Sequence, residues 1–96
     1  MECLYVLRGH QDRVNSAALL NSAQLAVSGS DDWTVRIWNV AGERTIAVLR
    51  GHNGPVVSVD ADIFGARAVS AGLDGTVRVW DLEQVLSGTN NAEDEK

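Results

Sequence analysis

Histidine, serine and aspartate recur in this chain as a set. His10, Ser28 and Asp32 come first. His52, Ser70 and Asp74 follow, each 42 residues after its counterpart. These are the residue types of nucleophilic hydrolysis, in which a base activates a hydroxyl and an acid orients the base. Two features argue against that chemistry. A catalytic centre has no reason to occur twice at a fixed interval, and the chain holds no Gly-x-Ser-x-Gly elbow to display the serine. Metal chemistry requires three or four convergent ligands. Two histidines in separate copies and the single Cys3 do not supply them. The glycines, among them Gly29, Gly42, Gly51, Gly54, Gly65, Gly72 and Gly75, are scattered through turns and form no phosphate-cradling loop. No catalytic residue, metal or cofactor is expected.

The interval extends beyond these residues. Leu7-Arg8-Gly9-His10 returns as Leu49-Arg50-Gly51-His52, and Thr34-Val35-Arg36-Ile37-Trp38-Asn39 as Thr76-Val77-Arg78-Val79-Trp80-Asp81, both at 42 residues without insertion or deletion. A fixed period in this range marks a stacked repeat. Within each copy, short apolar or β-branched runs predict strands. In the first they are Cys3–Leu7, Val14–Leu20, Leu25–Ser28 and Thr34–Trp38; in the second, Arg44–Leu49, Val56–Ala61, Arg67–Ser70 and Thr76–Trp80. Turn chemistry separates them, at Arg8–Asp12, Asn21-Ser22, Ser30–Asp32, Gly51–Pro55, Phe64-Gly65 and Asp74-Gly75. No window carries a helical stripe, and Glu83–Leu86 is long enough for one turn at most. Short strands at regular spacing indicate an all-β fold. The expected organisation is a two-copy unit over 1–86, with copies at about 3–44 and 45–86, then a polar acidic tail over 87–96 that is expected to be disordered.

The Gly-His and Trp-Asn or Trp-Asp marks, Gly9-His10 with Trp38-Asn39 and Gly51-His52 with Trp80-Asp81, resemble those of the WD-repeat β-propeller family. The stretches Ser28–Thr34 and Ser70–Thr76 look like that family's segment before the tryptophan. The resemblance covers about residues 3–82. It implies four-stranded antiparallel blades, about four to eight of them around a channel, and a role in binding protein rather than in catalysis. It also implies two hydrogen-bonded chains, His10–Ser28–Asp32–Trp38 and His52–Ser70–Asp74–Trp80, that tie loop to strands. The donor and acceptor inventory fits. An indole N–H donates to serine, serine to histidine, and histidine to a carboxylate that only accepts. The copies differ in two instructive places. Asn39 keeps the acceptor of Asp81 without its charge. Trp33 stands where the second copy has the turn glycine Gly75, which requires either a tolerated backbone conformation or a reason.

Bulk properties restrict the partner. The net charge is −5, and seven of the eight basic residues are arginines spread singly along the chain. Nucleic acid and anionic lipid require clustered cations, so neither is an expected partner. Arg36 and Arg78 are expected to be solvated. No apolar run approaches the 18 residues of a membrane span, the N-terminus does not read as a signal peptide, and the lone Cys3 suits a reducing compartment. An intracellular protein, cytoplasmic or nuclear, is expected. By the resemblance, the Gly-His loops and the turns before the tryptophan strands share one end of each blade. Partner contacts are expected there, where the copies disagree, at Arg13, Asn15, Asp31, Trp33, Pro55, Val57 and Leu73.

Two blades leave a geometric deficit, because stacked repeats bury their faces only against neighbours. The positions matching Ile46–Leu49 after the second copy hold Gly88-Thr89-Asn90-Asn91, which do not form an apolar strand. The last strand is therefore expected to keep an unpaired edge. Leu4–Leu7 is the type of strand that edge lacks, and it cannot reach back across two blades. Two functions follow. One is a protein-interaction scaffold within a larger propeller. The other is a self-assembling module whose copies close a symmetric ring by strand exchange.

Overall fold

The alternation in the sequence becomes seven antiparallel strands in a computed structural model that describes residues 1–20, 24–62 and 66–83. They are β1 (Val14–Leu20), β2 (Leu25–Ser30), β3 (Val35–Asn39), β4 (Arg44–Leu49), β5 (Val56–Asp62), β6 (Arg67–Gly72) and β7 (Val77–Asp81). One sheet has the order β1-β2-β3-β4, the other β5-β6-β7. The repeat holds down to its irregularities. A register shift between Val14 and Ser16 in β1 recurs between Val56 and Ser58 in β5.

The sheets do not coincide with the copies read from sequence. Arg44–Leu49, which opens the second copy, is the fourth strand of the first sheet, paired with β3 through Val35↔Leu49 and Ile37↔Ala47. The second sheet has three strands, and β7 pairs only with β6 among the described residues. The strand expected at Cys3–Leu7 does not form. Residues 1–10 carry no strand, and Leu4, Tyr5 and Val6 are exposed. A strand exists only where another strand accepts its ladder of hydrogen bonds, and among the described residues no strand pairs with this segment, whose Val6 N–H donates instead to Glu43 Oε2 at 3.4 Å. The turns at Asn21-Ser22 and Phe64-Gly65, residues 84–86 of the possible helical turn, Gly88–Asn91 and the tail over 87–96 lie outside the described residues.

The sheets pack face to face. Val27 pairs with Ile37 and Gly29 with Val35, so all four point to one face of the first sheet. Val27, Val35 and Ile37 are fully buried there in a cluster that includes Val56, Val59 and Ala68 of the second sheet. Polar contacts fix the register between sheets. Asn15 Nδ2 donates to the Val56 carbonyl at 2.8 Å, and Val59 N–H donates to Ser16 Oγ at 3.1 Å. Gly29 is required by this approach. A Cβ at Gly29 would lie 2.5 Å from Val56 Cγ1 and 2.9 Å from Val59 Cγ1.

Gly29→Ala is expected to lower stability by about 1–3 kcal/mol, the range for overpacking a core. Ala71→Gly, the reciprocal change at the matching position of the second copy, is expected to cost no more than about 1 kcal/mol. Denaturant midpoints of the two variants check this, and a Gly29→Ala protein as stable as the parent would contradict the packing described.

Candidate functional site

The two histidine–serine–aspartate–tryptophan sets are each gathered by three elements: a Gly-His loop, a serine on the second strand of the sheet and a tryptophan on the third. In the first sheet, Trp38 Nε1 donates to Ser28 Oγ at 2.8 Å, and His10 Nε2 meets the same oxygen at 2.6 Å. Ser28 Oγ already accepts the indole proton, so its own proton points at His10 Nε2. The other ring nitrogen, Nδ1, then carries the hydrogen and donates to Asp32 Oδ2 at 2.9 Å. The second sheet repeats this with Trp80 to Ser70 at 2.9 Å, His52 to Ser70 at 2.7 Å, and His52 to both carboxylate oxygens of Asp74 at 3.2 Å.

Each carboxylate also caps its own turn. Asp32 accepts the N–H of Gln11 and both the N–H and hydroxyl of Thr34, at 2.9, 2.9 and 2.5 Å. Asp74 accepts from Asn53 and Thr76 in the same way, at 2.9, 3.1 and 2.8 Å. Burial opposes the charge on Asp32, but the Thr34 hydroxyl, the Gln11 N–H, the His10 ring and the Thr34 N–H outweigh it. They hold its carboxyl far below the usual carboxylate range. Asp74 is held equally low, first by the Asn53 N–H against the opposition of burial, with the Thr76 hydroxyl and N–H and the His52 ring adding to it. Thr34 and Thr76 are members that sequence reasoning missed. Their signal was present, a threonine two residues after the aspartate in both copies, a spacing that suits side-chain bonding within a turn.

Serine, histidine and aspartate thus touch in the order that a hydrolase uses. The surroundings direct them elsewhere. Ser70 is 1% exposed and Ser28 is buried, and each oxygen is occupied by an indole N–H. Each hydroxyl is thus engaged on both sides, accepting the indole N–H and donating to the histidine, and Ser28 and His10 stand at the wall of a cavity that opens on the first sheet. The arrangement ties the loop before each sheet to two of its strands. Among the described residues, no three His, Cys, Asp or Glu side chains are grouped to hold a metal.

Arg36 and Arg78, expected in solvent, are half-buried instead. Arg36 Cζ lies 5.8 Å from the centre of the Trp38 ring, and its Nη1 donates to Thr45 of β4 at 2.9 Å. This stack explains the glycine before each histidine. A Cβ at Gly9 would sit 2.8 Å from Arg36 Nη1 and 3.1 Å from Trp38 Cη2, and Gly51 stands in the same relation to Arg78 and Trp80. Strand spacing alone gave no hint that the guanidinium folds back over the ring. At the former acid position, Asn39 Oδ1 accepts the Gly42 N–H and Asp81 Oδ1 accepts the Glu83 N–H, both at 2.9 Å. The acceptor is what the position uses.

The variable residues gather at the loop end. Asp31 N–H donates to the Arg13 carbonyl, and Leu73 N–H to the Pro55 carbonyl, which puts the β2–β3 and β6–β7 turns beside the Gly-His loops. Trp33 is 50% exposed and Leu73 70%. Val57 and Arg13 are also exposed, and Pro55 is half-buried. Asn15 and Asp31 are occupied differently. Asn15 Nδ2 donates to Asp31 Oδ1 at 2.7 Å as well as to the neighbouring sheet, so its amide serves the junction between sheets. Trp33 has φ of 79° and Gly75 has φ of 84°, so the tryptophan occupies the left-handed conformation of the glycine it replaces.

Comparison with known proteins gives consistent results. A family model for the WD domain, G-beta repeat (WD40) matches residues 1–39 and 43–81. Regulator of rDNA transcription protein 13 of Saccharomyces cerevisiae is 41% identical over 44 residues, which cover 46% of this chain and 24% of that protein. Cell division control protein 4 of the same yeast is 42% identical over 40 residues, covering 42% of this chain and 5% of its own length. The ribosome biogenesis protein BOP1 homologue of Drosophila melanogaster is 49% identical over 41 residues, covering 43% and 5%. Each match is close to one repeat long, and the chain spans a quarter or less of these relatives. Among solved structures, the computationally designed Ika4 protein superposes with a TM-score of 0.73 at 28% identity, over 85% of this chain and 49% of that one.

Both aspartate pKa values are lowered by folding. The charged carboxylates therefore contribute stability above the unfolded value of about 4, and that contribution is lost as pH falls below it. Stability measured from about pH 5 down to pH 2 is expected to decline. The decline is expected to be shallower in a protein carrying Asp32→Asn and Asp74→Asn, and parallel curves for the two proteins would contradict the account. Ser70→Ala strands the Trp80 and His52 donors and acceptors and is expected to cost about 1–3 kcal/mol, read from the same unfolding curves.

Proposed function

The chain belongs to the WD40 family of WD-domain, G-beta repeats, and from that premise we propose that it is a non-catalytic scaffold that binds protein through the loop end of its blades. The observation that carries this reading is Trp33. The left-handed conformation costs a residue with a Cβ about 1–2 kcal/mol relative to glycine. The matching turn of the second blade avoids that cost with Gly75. Half of the Trp33 surface faces solvent, so burial within the chain does not fully offset the strain. A costly conformation held at an exposed aromatic is a reason to look for function there, and tryptophan is enriched at the energetic centres of interfaces.

Leu73, Val57 and Arg13, exposed at the loop ends of the two blades, supply the rest of the proposed surface. An apolar centre with a single cation suits a protein partner, and the net charge of −5 disfavours a phosphate backbone or an anionic membrane. Relatives named for ribosome biogenesis, regulation of rDNA transcription and cell division support a place inside the cell, nuclear or cytoplasmic. His10, Ser28, Asp32, Trp38 and their counterparts His52, Ser70, Asp74 and Trp80 act as the frame that holds this surface. A second reading, self-assembly of copies into a ring, is supported by the outer edge of β7, which carries no partner strand among the described residues.

Trp33→Gly is expected to leave the thermal midpoint unchanged or to raise it, because it relieves the strained turn. Leu73→Ala is expected to change the midpoint by less than about 0.5 kcal/mol equivalent, as exposed substitutions do. Both are expected to reduce, by about tenfold or more, the recovery of proteins that co-purify with the parent. If Leu73→Ala unfolds the protein, or if both variants keep the full set of co-purifying proteins, the loop end is not the binding surface. Generic ester substrates are expected to be turned over equally by the parent and by Ser28→Ala with Ser70→Ala.

A further inference from the structure

The internal repeat supplies its own control for what covers each surface. Val27, Val35 and Ile37 of the first blade are 0% exposed because the second blade lies on them. The matching residues of the second blade are Val69, Val77 and Val79, and they are 36%, 67% and 67% exposed. The opposite faces show the converse. Val56 of the second blade is 0% exposed beneath the first blade, whereas its counterpart Val14 is 51% exposed and Leu19 is 63% exposed. On that face of the first blade a cavity of about 420 Å³ opens, lined by Leu7, Val14, Ala17, Ala26 and Trp38. The counterparts of Val14, Ala17 and Ala26, namely Val56, Val59 and Ala68, belong to the packed core.

The two open faces are therefore the two halves of one junction that the molecule already makes internally. A third vacancy coincides with them. Among the described residues β7 pairs only with β6, and Leu4–Leu7 holds the positions that Ile46–Leu49 hold on β3 yet pairs with no strand. In the β3–β4 register, Val35↔Leu49 and Ile37↔Ala47 become Val77↔Leu7 and Val79↔Tyr5.

We infer that a second copy of this chain completes the second blade. It lays residues 3–7 on β7 in the register of β4 on β3, and it seats its Val14–Leu19 face on Val69, Val77 and Val79. One partner supplies both, because in the chain itself the strand that closes the first blade runs directly into the blade that covers it. The contact is head to tail and leaves the same two surfaces open at each end, so it propagates until a ring closes. Two blades per copy and the usual range of about four to eight correspond to about two to four copies. The inference rests on the blade architecture and uses a surface separate from Trp33 and Leu73, so it stands or falls independently of the loop-end reading.

The test is the mass of the purified 96-residue chain by light scattering over a dilution series, with three variants. The parent is expected to form a particle of about two to four chains, and Trp33→Gly to form the same particle. Val79→Asp changes a residue already exposed in the single chain, so its β-sheet circular dichroism is expected to persist while its mass falls to that of one chain. In a Cys3→Ser background, Tyr5→Cys with Val79→Cys is expected to give chains linked by disulfides under oxidation. Tyr5→Cys with Val69→Cys, two strands apart, is expected to give none. A parent that is a single chain at every concentration overturns the inference and assigns the open faces to blades of a longer polypeptide. Assembly that survives Val79→Asp, or an assembly in which the Tyr5–Val79 pair fails to link, overturns the proposed junction and register.

Discussion

The chain of hydrogen bonds from tryptophan through serine and histidine to aspartate is what the rest of the architecture depends on. Its importance lies in where it begins and ends. Trp38 and Ser28 belong to strands, His10 to the loop that enters the sheet, and Asp32 to the turn between two strands. The loop's path is thereby set to within a bond length, and that loop connects one blade to the next. In the second copy, His52 follows directly from β4 and leads into β5. The network thus joins the outer strand of one blade to the inner strand of its neighbour. The junction between blades, with Gly29 against Val56 and Asn15 on the Val56 carbonyl, is in register because the loop is fixed. Full satisfaction of the network matters as much as its presence, since a buried polar group left without a partner costs more than a bond contributes. The turn threonines complete that satisfaction at Asp32 and Asp74.

Much of this was legible from spacing. Val14–Leu20 and Arg44–Leu49 were bounded to the residue, and the five remaining strands, from Leu25 to Asp81, came within two residues. Local alternation and turn chemistry carry that information. The segment Cys3–Leu7 shows where such information ends. Its residues favour a strand as strongly as Ile46–Leu49 do, but strand formation is a property of two segments, and no strand pairs with this one among the described residues. Thr34 and Arg36 were missed for a different reason. Their sequence signal was a periodic recurrence, which does not by itself distinguish a side chain in solvent from one turned inward to a carboxylate or an aromatic ring. Only the approach of Gly9 to the Arg36–Trp38 stack shows the difference.

Nearly identical residues in the two copies experience different environments, and that contrast separates what the repeat encodes from what its neighbours impose. Val27 and Val69 sit at equivalent places on equivalent strands, one sealed and the other open. Intrinsic strand preference is the same for both, so the difference in burial reflects whether another sheet lies on that face. The hydrophobic contribution of a fully buried valine, about 1.5–3 kcal/mol, is realised at Val27 and only partly at Val69. A stack of two repeats thus has one satisfied junction and two half-junctions, the condition under which repeat arrays gain most from additional units.

Trp33 breaks the repeat in the opposite sense. The turn it occupies is closed by the same bond as its counterpart, Trp33 N–H to the Ser30 carbonyl at 3.1 Å against Gly75 N–H to the Gly72 carbonyl at 3.1 Å. The backbone there is set by the aspartate cap and not by the residue that fills it, because Asp32 and Asp74 fix their turns through equivalent bonds to Thr34 and Thr76. A rigid cap of this kind can hold a side chain in a conformation it does not prefer. The strain is then sustained by the network, and the ring is displayed in a fixed direction at the loop end. An aromatic so constrained loses little conformational entropy when it meets a partner, which is the physical advantage of a pre-organised contact over a flexible one. The frame and the proposed binding surface are in this respect a single device, with the half-buried carboxylate at one end of the turn and the exposed indole beside it.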